Sequence, residues 1–192
     1  IELATEIVAD ISGVHPTSFR CPRLWGSTAV VNALERLGYK ADVTYPMYYY
    51  RKQTTPYHQS KDNWLEKGDL KIMELPNFAD LSMESHDQYG RDLDQWPLWR
   101  TESAEAVMKH IDGYSKYCAD RGEEPFICFY MHPWEFAPMP AGLIHSGEGA
   151  VLPDPFIIKN CGDYAARELD RLVKMMKDAG LEFCQACQAI AE

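Results

Sequence analysis

Long apolar runs are missing from this chain. No stretch of about 18 apolar residues occurs, so no segment reads as a membrane span. Basic residues are scarce: 19 Lys and Arg stand against 29 Asp and Glu, a net charge of −10. Phosphate recognition needs clustered Lys and Arg, so nucleic acid and anionic membranes are excluded as main partners. Internal repeats, low-complexity tracts and long linkers are also missing. With 46% hydrophobic and 25% charged residues over 192 positions, the composition is neither that of a disordered tail nor that of a fibre. The length suits one domain, residues 1–192. There is no methionine at position 1 and no secretory signal. Leu3, Ala4, Ile7, Val8 and Ile11 hold a 3.6-residue period from the first residues, which predicts a helix entered partway and a chain that is a piece of a larger protein. The missing signal then says nothing of compartment.

Six cysteines are present: Cys21, Cys118, Cys128, Cys161, Cys184 and Cys187. Cys128 lies in the apolar run Phe126-Ile127-Cys128-Phe129-Tyr130, where a free thiol packs as a small hydrophobe. Cys184 and Cys187 form a single C-x-x-C. A zinc ribbon would need a second, and a redox pair would need a helix N-terminus after a strand, which Leu181–Phe183 could be. The plainer reading makes them ordinary helix residues. Unpaired cysteines favour a reducing, cytoplasmic compartment.

Along the chain, periodicity and caps predict helices over 1–12, 27–37, 102–119 and 163–179. Gly13, Gly38 and Gly180 serve as stops, and Ser27 as an N-cap. Strands are expected over 39–45, 70–75 and, most strongly, 126–131, where continuous apolar character predicts burial on both faces. Residues 77–100 read as irregular and aromatic, and 133–155 as a Pro- and Gly-rich loop. A short strand and a last helix close the chain. Alternation of strand and helix predicts an α/β fold with mainly parallel strands, whose chemistry sits at the strands' carboxyl ends.

Two segments stand at such ends. His132 follows the apolar run in His132-Pro133-Trp134-Glu135, and Pro133 restricts it to extended backbone. A histidine there can protonate a leaving amine near neutral pH, or it can simply be a structural hydrogen-bonder. Arg20 precedes a proline turn in Phe19-Arg20-Cys21-Pro22, a placement suited to pairing with a carboxylate or to plain surface exposure.

Together these segments resemble the polysaccharide deacetylases of the NodB-homology type, the carbohydrate esterase family 4 superfamily. Arg20-Cys21-Pro22 looks like that family's Arg-x-Pro motif, and Tyr130-Met131-His132 like its Leu-x-His motif with Tyr130 in place of leucine. The step from helix 27–37 into Gly38-Tyr39 is similar too. The resemblance implies the C-terminal portion of a distorted (β/α)7-type barrel and metal-dependent hydrolysis of a carbon–nitrogen bond in an N-acetylated sugar or small amide. A zinc-type divalent metal would activate water, His132 would be the general acid, and Arg20 would orient the base. Asp80, or Asp94 beside Trp96, would position the histidine, and Trp25, Tyr48, Trp96, Trp134 and Glu135 would line the pocket, although aromatic residues are as often core. The family's Asp-Asp and His-x-x-x-His motifs do not occur here, so the metal ligands are expected outside this chain, on an N-terminal segment or a second chain that completes the barrel. Open strand edges would then also favour a homo-oligomer. Two other readings stay open: a cyclic imide or ureide hydrolase of the allantoinase type, and a non-catalytic carbohydrate-binding module.

Overall fold

A computed structural model of the chain describes residues 1–186, 188 and 189. Cys187 lies outside the described residues, and the expected last helix falls largely there; no ladder forms at 181–183. The chain is a mixed α/β protein with a parallel sheet and helices. It divides into two compact units. The first comprises 1–94, 115–128 and 183–192; the second comprises 95–114 and 129–182.

In the first unit, α1 (Glu2–Ser12) ends at Gly13, whose φ of 71° is the left-handed turn that glycine adopts at least cost. The predicted apolar stripe of α1 forms but is not buried: Leu3 is 68% exposed and Ile11 83%. The residue that does bury is Thr5, whose hydroxyl meets the Tyr39 hydroxyl at 2.9 Å. The second helix, α2 (Thr28–Arg36), follows expectation. Ser27 accepts from the Val30 amide at 3.3 Å, and Val31 and Leu34 are fully buried.

The sheet of this unit contains β1 (Ser18–Phe19), β2 (Ala41–Asp42), β3 (Tyr57–His58) and β4 (Met73–Glu74) in the order β1-β2-β4-β3. The β1–β2 and β2–β4 pairs are parallel and β3–β4 is antiparallel. The short helix α3 (Met47–Tyr50) follows β2, and Tyr45, Tyr50, Tyr57 and Trp64 pack edge-on and tilted as one aromatic cluster. Each strand is only two residues long, and side chains do much of the joining. Glu74 accepts from the Thr44 and Tyr45 amides at 2.9 and 2.8 Å. Asn77 donates to the Val43 carbonyl at 2.8 Å, and Glu35 accepts from the Ile72 amide at 2.9 Å.

The expected strand over 126–131 is not a strand. Cys128 makes one isolated parallel bridge to Asn77, and Phe126 to Tyr130 are half-buried. An apolar run reports burial, but a ladder needs a neighbour in register, and here the pairing is confined to one residue.

In the second unit, α4 (Leu98–Thr101), the first part of α5 (Ala104–Ala119) and α7 (Asp163–Asp178) carry the core, with Trp99, Val107, Ile111 and Leu172 buried. The buried face of α7 runs Ala165, Glu168, Leu172 and Met176, a helical spacing. Glu168 belongs there because its carboxylate accepts from the Ala104 amide at 2.8 Å, capping the start of α5. The expected loop 133–155 contains a 3-10 turn at Pro133–Phe136 and a hairpin of β5 (Ile144–Ser146) and β6 (Gly149–Val151); α6 (Pro155–Ile158) follows.

Candidate functional site

His132 has φ −116° and ψ 142°, the extended geometry that Pro133 imposes. It precedes the 3-10 turn, with Pro133 at the first position and Glu135 at the third. This is the spacing at which an acidic side chain reaches back to the cap residue. Glu135 does so: its Oε1 accepts from the His132 amide at 2.8 Å and lies 3.1 Å from His132 Nδ1.

The rest of the cluster comes from the 96–100 segment of the same unit. Trp96 Nε1 donates to Glu135 Oε1 at 2.9 Å, and Arg100 Nε donates to Glu135 Oε2 at 2.7 Å. The Arg100 and Glu135 side chains are both fully buried, whereas His132 keeps 44% of its side chain exposed. Burial alone would raise the Glu135 carboxyl. The bonds from Arg100, Trp96 and His132 outweigh it and hold the group below the usual carboxylate range. The imidazole is flanked by Trp134, near-parallel at 5.3 Å, and by Trp96, edge-on at 5.2 Å; Tyr130 stacks on Trp96 at 5.5 Å. The arrangement is a half-exposed imidazole whose Nδ1 is tied to a buried, ionised carboxylate, leaving Nε2 as the other proton-carrying atom.

Of the residues singled out in the sequence, His132, Glu135, Trp96 and Trp134 are thus brought together. Glu135, expected in a pocket wall, is buried with its oxygens turned to His132, Trp96 and Arg100. The carboxylate bonded to His132 is therefore Glu135, the position expected of Asp80 or Asp94. Arg100 was not legible. It lies 35 positions from Glu135, and no spacing rule links them. Glu135 was legible in principle, through the His-Pro-x-Glu cap spacing.

The other predicted residues belong to the first unit. Arg20 donates through Nε to the Val43 carbonyl at 3.0 Å and through Nη2 to Asn77 Oδ1 at 2.9 Å. Its loop continues into Arg23 and Leu24, both with φ near 57° and so in the left-handed region that non-glycine residues rarely occupy. Trp25 is 73% exposed, with the Arg23 guanidinium 5.8 Å from its ring. Burial raises the Tyr48 phenol, helped by the charge of Asp94. Asp80 is buried, and its Oδ1 accepts from the Ser82 amide and hydroxyl at 3.0 and 2.6 Å.

The first unit also holds a buried acidic pair that sequence reasoning missed. Asp42 and Glu74 face each other in register across the β2–β4 ladder, both with no exposure. The Thr44 hydroxyl donates to Asp42 Oδ1 and Gln59 Nε2 to Glu74 Oε2, while Asp42 Oδ2 and Gln59 Oε1 have no hydrogen-bond partner. Burial pushes the Asp42 carboxyl up to about 6 and Glu74 well above its ordinary value, the latter also through the neighbouring Asp42 charge. Side by side and without exposure, the two carboxyls favour holding a proton between them over both being ionised.

No three His, Cys, Asp or Glu side chains converge as a metal site among the described residues. Nor, among them, is any helix long and apolar enough to cross a membrane.

No family model matches this chain, and no curated protein matches it. Among solved structures, the crystal structure of a "putative polysaccharide deacetylase" from Mycobacterium smegmatis aligns with it at 21% identity and a TM-score of 0.35. The alignment covers 57% of this chain and 37% of that one, so this chain spans little more than a third of that neighbour's length. A likeness this distant transfers neither fold nor activity.

Proposed function

We propose that this chain carries the proton-donating half of a hydrolase that cleaves a carbon–nitrogen bond, the N-acetyl amide of a carbohydrate. The observation that carries the reading is the His132–Glu135 pair: an accessible imidazole oriented through Nδ1 by a buried carboxylate. As the amide C–N bond breaks, the departing nitrogen takes the proton from His132 Nε2. The Nδ1–H stays on the ring and hydrogen-bonded to the Glu135 carboxylate, so the imidazole holds its orientation through the transfer. Trp96 and Trp134 offer aromatic surface beside the ring, of the kind against which the apolar faces of sugars stack. The Arg20-Cys21-Pro22 and Tyr130-Met131-His132 motifs point the same way.

A zinc-type divalent ion in this chemistry would polarise the carbonyl and activate water. The described residues supply no ligand set that fits one. In this reading the metal ligands, the base that Arg20 orients and the rest of a (β/α)7-type barrel come from a segment or second chain outside residues 1–192.

The test is acetate release by the complete protein from N-acetylglucosamine oligomers, run beside ring opening of hydantoin-type cyclic imides. We expect acetate release, and a loss of about 100-fold or more in His132→Ala, as for removal of a general acid. Imide ring opening without acetate release would move the assignment to a cyclic imide hydrolase. Sugar binding without turnover would leave a carbohydrate-binding module. Undiminished turnover in His132→Ala would end the proton-donor assignment.

A further inference from the structure

Glu135 divides its two oxygens. Oε1 serves His132 and Trp96, and Oε2 is taken by Arg100 alone among the bonds described. Arg100 is anchored from two further directions. Its Nη1 donates to the Lys159 carbonyl at 2.6 Å, and its own carbonyl accepts from Asn160 Nδ2 at 2.9 Å. Its guanidinium carbon also stands 6.0 Å from the Trp96 ring and 5.4 Å from the Trp134 ring, the two indoles that flank His132. Nη2 is buried without a hydrogen-bond partner, and the electron-rich indole faces are the favourable surroundings on offer to it. One buried cation therefore binds the carboxylate that holds the imidazole and stands beside both indoles that flank it.

We propose that Arg100 is the positioning residue of this site, acting on His132 through Glu135 and the two indoles. Its catalytic consequence rests on His132 being the proton donor. A carboxylate buried without a counter-charge takes up a proton instead. Protonated Glu135 is a poorer acceptor for the Nδ1–H of His132, and the ring is then free to rotate. With Arg100 in place the carboxylate stays ionised, its titration held below the usual carboxylate range by the bonds it accepts. A lysine would keep the charge but not the planar fork that bonds Glu135 and Lys159 together.

The experiment is a pair of variants in the complete protein, read by kinetics and by NMR of the imidazole. In wild type, the His132 Nδ1–H should give a hydrogen-bonded proton resonance that disappears in Glu135→Gln. In Arg100→Gln the same resonance should be lost, and kcat for N-acetyl hydrolysis should fall about 100-fold with KM changed less than about threefold. Arg100→Lys should keep the resonance and recover kcat to within about tenfold of wild type. If Arg100→Gln fails to fold, the lysine variant decides. A folded Arg100→Lys protein that has lost the resonance overturns the proposal, as does a folded Arg100→Gln protein that retains it. Failure of the function reading looks different: His132→Ala would keep full turnover while the resonance still followed Arg100.

Discussion

Asp42 and Glu74 show what burial does to single residues. Their carboxyls are raised, so the folded chain binds protons in a range where the unfolded chain has released them. Stability from the pair is fully present below about pH 4 and is lost as pH rises through about 6 and beyond. A carboxyl moved from 3.8 to about 6 is worth roughly 3 kcal/mol between those limits. The first unit is therefore expected to resist urea better at pH 5 than at pH 8. In Glu74→Gln that difference should shrink by more than half. The new amide would donate to the orphaned Asp42 Oδ2, and Gln59 can turn its unpartnered Oε1 toward the new group. Urea midpoints across pH check this; an unchanged pH slope in the variant would refute the shared proton. Asp42 alternates with Lys40 and Thr44 on what reads as the polar face of its strand, so nothing local marked it as the buried partner of Glu74.

At the scale of elements, helices were legible and pairing was not. The Ser27 cap, the glycine stops and the 3.6-residue periods placed four helices to within a few residues, because those signals are local. The 126–131 run has the composition of a strand without the pairing, since Cys128 meets a single partner in register, Asn77, about 50 positions away. The candidate site was legible in the same proportion: His132 and the Glu135 spacing are local, while Trp96 and Arg100 arrive from a distant segment. Even a correct helix left its environment unread. The apolar stripe of α1 lies in water, so Ile11→Lys should change stability by less than about 0.5 kcal/mol, whereas Leu34→Ala in α2 should cost about 2–5 kcal/mol. Denaturant curves for the two variants measure the contrast, and a costly Ile11→Lys would mean that the stripe is covered.

At the scale of the whole molecule, neither compact unit is a contiguous stretch of sequence. The first unit needs residues 115–128. The Phe78 amide donates to the Cys128 carbonyl at 2.9 Å, and the Thr54 hydroxyl donates to Glu123 at 2.6 Å. A fragment ending at residue 94 is thus expected to give a collapsed NMR amide spectrum with no slowly exchanging protons. A well-dispersed spectrum would show that 1–94 is self-sufficient.

The side-chain joining of the sheet also shapes how such a protein can drift over generations. Positions such as Val31 and Leu34 can exchange one aliphatic group for another at modest cost. Arg20, Glu74 and Asn77 have no equivalent neighbours among the amino acids: lysine lacks the fork, aspartate is a methylene short, and glutamine a methylene long. The heritable memory of this sheet therefore resides in a few polar residues, and its greasy positions are the ones at liberty to wander.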